Sequence, residues 1–95
     1  MYGLIGKFTT QPGRRDDVIG VIRTGTGAMP GCRVYSIVPD PIDPDTIWIS
    51  EVWENQESHQ ASLQLAEVQL AIQQAMPLIT GMESLAKSAT DADAS

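Results

Sequence analysis

Apolar and polar positions change period several times along the chain, and each change marks an element. Residues 2–10, Tyr-Gly-Leu-Ile-Gly-Lys-Phe-Thr-Thr, are rich in aromatic and β-branched types and halt at Gln11-Pro12-Gly13, which predicts a strand. From Arg14 to Met29 the period becomes helical. Val18, Val21, Ile22, Gly25 and Met29 share one face, with Asp16, Asp17, Arg23 and Thr24 opposite. Pro30-Gly31 stops that helix, and Cys32 to Val38 reads as a second strand. A Pro- and Asp-rich loop leads to a third strand, Thr46 to Glu54. Asn55 is a good N-cap, and a helix follows to about Met76, with a break expected near Leu65–Ala66. Pro77 disfavours helical backbone at Met76. After Gly81, Met82 to Ala89 reads as a last strand, and residues 90–95 as a disordered tail. The whole is one domain over residues 1–89.

The order β-α-β-β-α-β predicts an α+β, ferredoxin-like fold: a four-stranded antiparallel sheet with its helices on one face. The third strand tests this by parity. Ile47, Ile49, Glu51 and Trp53 point one way, while Trp48, Ser50 and Val52 point the other. Each face carries a tryptophan, and helices cover only one. The face with Trp48 and Val52 needs other cover, most simply a second copy of the sheet, so a homodimer is expected. Leu70, opposite Val68, Ile72 and Met76 on its helix, would add a contact. Size points the same way. With 95 residues and one cysteine, the chain has neither a large core nor a disulfide, and assembly is the remaining means of stabilisation.

Charge narrows the function. Twelve acids against six bases give a net charge of −6, which disfavours nucleic acid and anionic membrane as partners. No apolar run is long enough to span a bilayer. The first residues lack the features of a signal peptide, so a cytoplasmic location is expected. One Cys and one His offer no metal cage, and no flavin or nicotinamide motif is visible; the expectation is no metal and no cofactor. Gly25-Thr26-Gly27 follows a helix and lacks a lysine, so it is not a phosphate loop. Cys32 is expected to be an inert buried thiol.

Two ionisable residues stand where the pattern expects burial. Glu51 shares a strand face with Ile47, Ile49 and Trp53. His59 shares a helix face with Ser62, Leu63 and Ala66. Between sheet and helices they would converge beside the Trp53 indole, as a catalytic pair or as a satisfied structural pair. A position near the start of a helix would favour a neutral imidazole that accepts a proton. Tyr2 and Tyr35 are strand tyrosines that could pack or donate to a ligand oxygen.

The stretch Glu51-Val52-Trp53-Glu54-Asn55-Gln56-Glu57-Ser58-His59 resembles the antibiotic biosynthesis monooxygenase family, in which a strand bearing Glu-x-Trp runs into a helix with His. Pro12-Gly13 and Pro30-Gly31-Cys32 resemble it too, and the resemblance covers roughly residues 2–89. It implies a dimeric α+β barrel made from two ferredoxin-like sheets. The implied activity is cofactor-independent oxidation of a quinol-like or polycyclic phenolic molecule by molecular oxygen. His59 would be the base or proton shuttle, Glu51 would orient it or hold the substrate, and Trp53, Ser62 and Tyr35 would contact the substrate. The haem-degrading relatives use a first-strand Asn that residues 2–10 lack. An isomerase of a phosphorylated sugar would favour basic pocket residues, for which Lys7, Arg33 and Lys87 are the strand candidates. A non-catalytic or stress-related dimer that holds a small apolar ligand is the alternative from another class.

Overall fold

A computed structural model describes residues 1–89; the tail expected over residues 90–95 lies outside the described residues. The elements are β1 (Tyr2–Thr10), α1 (Arg15–Gly25), β2 (Cys32–Pro39), β3 (Thr46–Trp53), α2 (Gln56–Ser62), α3 (Ala66–Ala75), a 3₁₀ turn (Met76–Leu78) and β4 (Ile79–Ala89). The strands form one antiparallel sheet in the order β2-β3-β1-β4, the ferredoxin-like arrangement that the pattern predicts.

The parity of β3 holds. Ile47, Ile49 and Trp53 are buried, and the two isoleucines meet Val18 and Ile22 of α1 and Ala75 of α3 in the core. Cross-strand pairing extends this face through Tyr2, Leu4 and Phe8 of β1 and Tyr35 and Ile37 of β2. The opposite face carries Ile5, Val34 and Val38, each 44–49% exposed, beside half-buried Trp48 and Val52. Helices cover nothing there. No helix among the described residues is long and apolar enough to cross a membrane.

Four boundaries differ from expectation, each for a local reason. Helix α1 ends at Gly25, not Met29. The Met29 carbonyl is taken by the Cys32 N–H in the turn that leads into β2. Gly25 itself is a contact point: a Cβ there would land on the Ala71 Cβ and within 2.9 Å of the Glu67 carbonyl oxygen, so its missing side chain lets α1 and α3 touch. The expected break after α2 is real and falls at residues 63–65, which leaves α2 only seven residues long. Met76 keeps helical backbone (φ −55°, ψ −41°) despite Pro77. The proline sits at the start of the 3₁₀ turn, where its missing N–H costs nothing. Strand β4 starts at Ile79, because Gly81 pairs opposite Thr9 and continues the strand.

The loop between β2 and β3 is tied to α1. One guanidinium nitrogen of Arg15 donates to the carbonyls of Asp40 (3.1 Å), Asp43 (2.8 Å) and Thr46 (3.4 Å).

Candidate functional site

A cavity of about 310 Å³ lies between the sheet and α3. Apolar side chains form most of its wall, among them Phe8 of β1, Ile72 of α3, Ile79 and Met82 of β4, and Met29 and Met76. Glu51, Trp53, His59, Ser62 and Tyr35, the residues singled out in the sequence, all line it. A more open hollow beside β1 and β4 shares Phe8, Glu51, His59 and Met82 with it, so the carboxylate and imidazole border both spaces.

Local rules bring these groups together. Glu51 and Trp53 are two apart on one strand and so face the same way. The indole N–H donates to Glu51 Oε1 at 3.0 Å. The chain then leaves the sheet at Asn55, whose side chain accepts the Ser58 N–H at 2.8 Å and starts α2. One turn later His59 returns over the strand. Its ring lies edge-on to Trp53 (centroids 5.4 Å apart, planes at 67°) and tilted against Tyr2 (5.6 Å). Its Nε2 is 3.8 Å from Glu51 Oε1, close enough for charge attraction and too far for a hydrogen bond.

Burial pushes the Glu51 carboxyl above the ordinary range; the Trp53 hydrogen bond and His59 oppose this without overcoming it. Tyr35, paired across the strands with Glu51, is pushed up by burial and by that carboxylate, and remains a phenol that can donate. Ser62 is 4% exposed, and its hydroxyl donates to the His59 carbonyl at 2.6 Å, which secures the end of α2.

Three expectations need correction. Because α2 is so short, His59 sits at its middle, and the dipole argument for a neutral imidazole loses its basis. Cys32 is half-buried rather than buried; burial still raises its pKa and keeps it a thiol. The basic strand residues lie elsewhere. Lys7 stands over the Trp48 ring on the open face at 5.7 Å, Arg33 is 3.8 Å from Glu54, and Lys87 is exposed on β4. No lysine or arginine lines the cavity among the described residues. Tyr2 gains a part that the sequence left open. Its contact with His59 follows from its pairing opposite Trp53 at the far end of β1.

The profile of the antibiotic biosynthesis monooxygenase (ABM) family matches residues 1–74. The chain belongs to the ABM family. Among solved structures, the "putative antibiotic biosynthesis monooxygenase" of Chloroflexus aurantiacus J-10-fl is 48% identical, with a TM-score of 0.89 over 94% of this chain and 91% of that one. A conserved protein of unknown function from Bacteroides thetaiotaomicron VPI-5482, described as a possible oxidoreductase, is 20% identical (TM-score 0.82; 94% and 96% covered) and shares the fold. So does a conserved protein from Methanosarcina mazei Go1, 12% identical (TM-score 0.82; 94% and 91% covered). No curated protein matches the sequence. The cavity of this ABM domain brings together an apolar wall, the Glu51 carboxyl, the His59 imidazole and an indole that donates to the carboxyl.

Proposed function

We propose that this ABM protein is a cofactor-independent monooxygenase that oxidises a quinol-like or polycyclic phenolic molecule with molecular oxygen, as a cytoplasmic homodimer. The observation that carries the reading is the placement of Glu51 and His59 at the wall of an apolar cavity, with His59 between Tyr2 and Trp53. Removal of the hydroxyl proton makes the ligand electron-rich enough to reduce oxygen itself. For a phenol, one oxygen atom enters the ring and the other leaves as water. The phenol supplies four electrons and becomes a quinone. The protein's share is to exclude water, hold the ring and move protons. His59 is the base or shuttle, Glu51 its partner, Trp53 and Tyr35 contact the ligand, and Ser62 keeps α2 in place beneath it.

The wall favours an uncharged ligand. A carboxylate borders the cavity and no cationic side chain does among the described residues, which disfavours the phosphorylated sugar of the isomerase alternative. The homodimer reading rests on the exposed apolar face of Ile5, Val34 and Val38 around Trp48 and Val52. One observation favours a non-catalytic, ligand-holding dimer instead: Glu51 and His59 are not hydrogen-bonded to each other.

Anaerobic loading with a panel of quinols and polycyclic phenols, followed by oxygen, separates the two. A quinone that carries one oxygen atom from molecular oxygen, formed with stoichiometric oxygen uptake and without hydrogen peroxide, supports the monooxygenase. Bound, unchanged ligand supports the holding protein.

A further inference from the structure

Trp53 and His59 address the same oxygen of Glu51. The indole N–H is 3.0 Å from Oε1, and His59 Nε2 is 3.8 Å from that same atom. No donor among the described residues hydrogen-bonds Oε2. An indole N–H donates and cannot accept. An oxygen held by it therefore serves as the carbonyl of a protonated carboxyl, and the proton belongs on the other oxygen. Trp53 is fully buried and packs edge-on against His59, so the indole cannot turn away without breaking both contacts.

We propose that Trp53 is a positioning residue that assigns the two oxygens of Glu51: Oε1 is anchored by the indole, and Oε2 takes the hydroxyl hydrogen of a bound aromatic ligand. It takes that hydrogen first as a hydrogen bond and then as a proton. The ligand O–H bond breaks, its electron pair stays on the ligand oxygen, and an O–H bond forms at Oε2. This rests on the proposed function for its ligand class, and makes Glu51 the first acceptor; His59, with Nε2 3.8 Å from Oε1, keeps the part of shuttle rather than of base. The groups that can bias the exchange are His59 on α2, Tyr35 and Cys32 on β2, and Glu83 of β4, which lines the adjoining hollow. Burial of Glu51 adds to its basicity.

The test reads Glu51 directly. Infrared spectra and carboxyl NMR over a pH series, assigned with Glu51→Gln, give its midpoint and the C=O stretch of its protonated form. In Trp53→Phe the midpoint should rise by roughly one unit, about tenfold tighter proton binding, because a hydrogen bond to the charged form is lost. The C=O stretch should also move up, since Oε1 loses its donor. A Trp53 that only fills space would move neither. If Trp53→Phe does not fold, the wild-type indole ¹⁵N–¹H resonance decides: it should titrate with the Glu51 midpoint, and a flat resonance overturns the proposal. For Oε2 the probe is 2-naphthol, added above that midpoint. It should shift the Glu51 carboxylate bands, and Glu51→Gln should bind it several-fold more weakly. Unchanged bands with naphthol bound would overturn the assignment of Oε2. If the phenol panel gives no quinone, the monooxygenase reading fails while these spectra still judge the two oxygens.

Discussion

Strand β3 carries two tryptophans, one on each face, and both donate an indole N–H to a carboxylate. Trp48 Nε1 reaches Asp40 Oδ1 at 2.7 Å, and Trp53 Nε1 reaches Glu51 Oε1 at 3.0 Å. The outcomes are opposite. Asp40 is held below the ordinary carboxylate range by the Asp43 N–H first and then by Trp48 and the Ile42 N–H. Glu51 is pushed above it by burial, with the indole as its one hydrogen bond among the described residues. One donor does not compensate a carboxylate for lost water, whereas three donors on a partly exposed loop over-compensate. The open face thus holds a carboxylate settled in its charged form, and the covered face holds one whose charged form burial disfavours.

The harshest way to break this contrast is to put a charge on the open face. Trp48→Glu should abolish the homodimer and leave monomer or aggregate, read by sedimentation at micromolar concentration. A stable, folded wild-type monomer under the same conditions would defeat the second copy as the cover of that face. On the covered face, His59→Asn should lower turnover by roughly 10²–10⁴-fold, the usual loss with a group that moves a proton, while stability changes little. If His59 is only a structural partner of Glu51, turnover instead holds and unfolding in denaturant shows a loss of about 1–3 kcal/mol.

Gly25→Ala tests how tightly the covering helices close. The added Cβ meets Ala71 and the Glu67 backbone, so thermal or urea unfolding should show about 1–3 kcal/mol of destabilisation. The smallest and most direct comparison is by pH. Asp40 titrates lower in the folded chain than in the unfolded one. Its stabilisation is complete above the unfolded value and is lost as pH falls through the folded value. Glu51 titrates higher when folded. Between its unfolded and folded values the folded chain binds more protons, so stability falls as pH rises through that window. Asp40→Asn should therefore cost stability at neutral pH, and Glu51→Gln should add it. Both differences should vanish in acid, in urea unfolding measured across pH. Two substitutions that shift stability in the same direction would erase the distinction between the faces.

Much of this was legible in residues two, three or four positions apart. The alternation Ile47, Ile49, Glu51, Trp53 identified the covered face because a strand turns its side chains with period two. Asn55 and the one-turn step to His59 placed the imidazole over Glu51 and Trp53. What depended on distant partners was not legible. Tyr2 touches His59 through pairing across 51 residues of chain, from Tyr2 to Trp53. Met29, Met76 and Met82 come from three separate segments, and only packing makes them one wall. The pattern carries α1 on to Met29 because Gly25 and Met29 continue its apolar face, although the place of Gly25 there reflects the approach of α3. The hydrogen bond from Trp53 to Glu51 follows from their shared face, while its choice of one oxygen needed atoms.

The sheet order has a further consequence for how the protein is made. Of the four strands β1 is translated before the others, and it lies between β3 and β4, with Tyr2 opposite both Trp53 and Ala89. While β2 and β3 can pair as neighbours, β1 must wait for the ribosome to deliver its two partners, the second after every other element. Until then its β4-side edge is an unpaired ladder, the kind of edge that another nascent chain can occupy. Ile79 and Met82 arrive only with β4, so the chamber gains its last wall when that edge closes. Maturation of the cavity and protection from misassembly are thus one event, timed by the final strand.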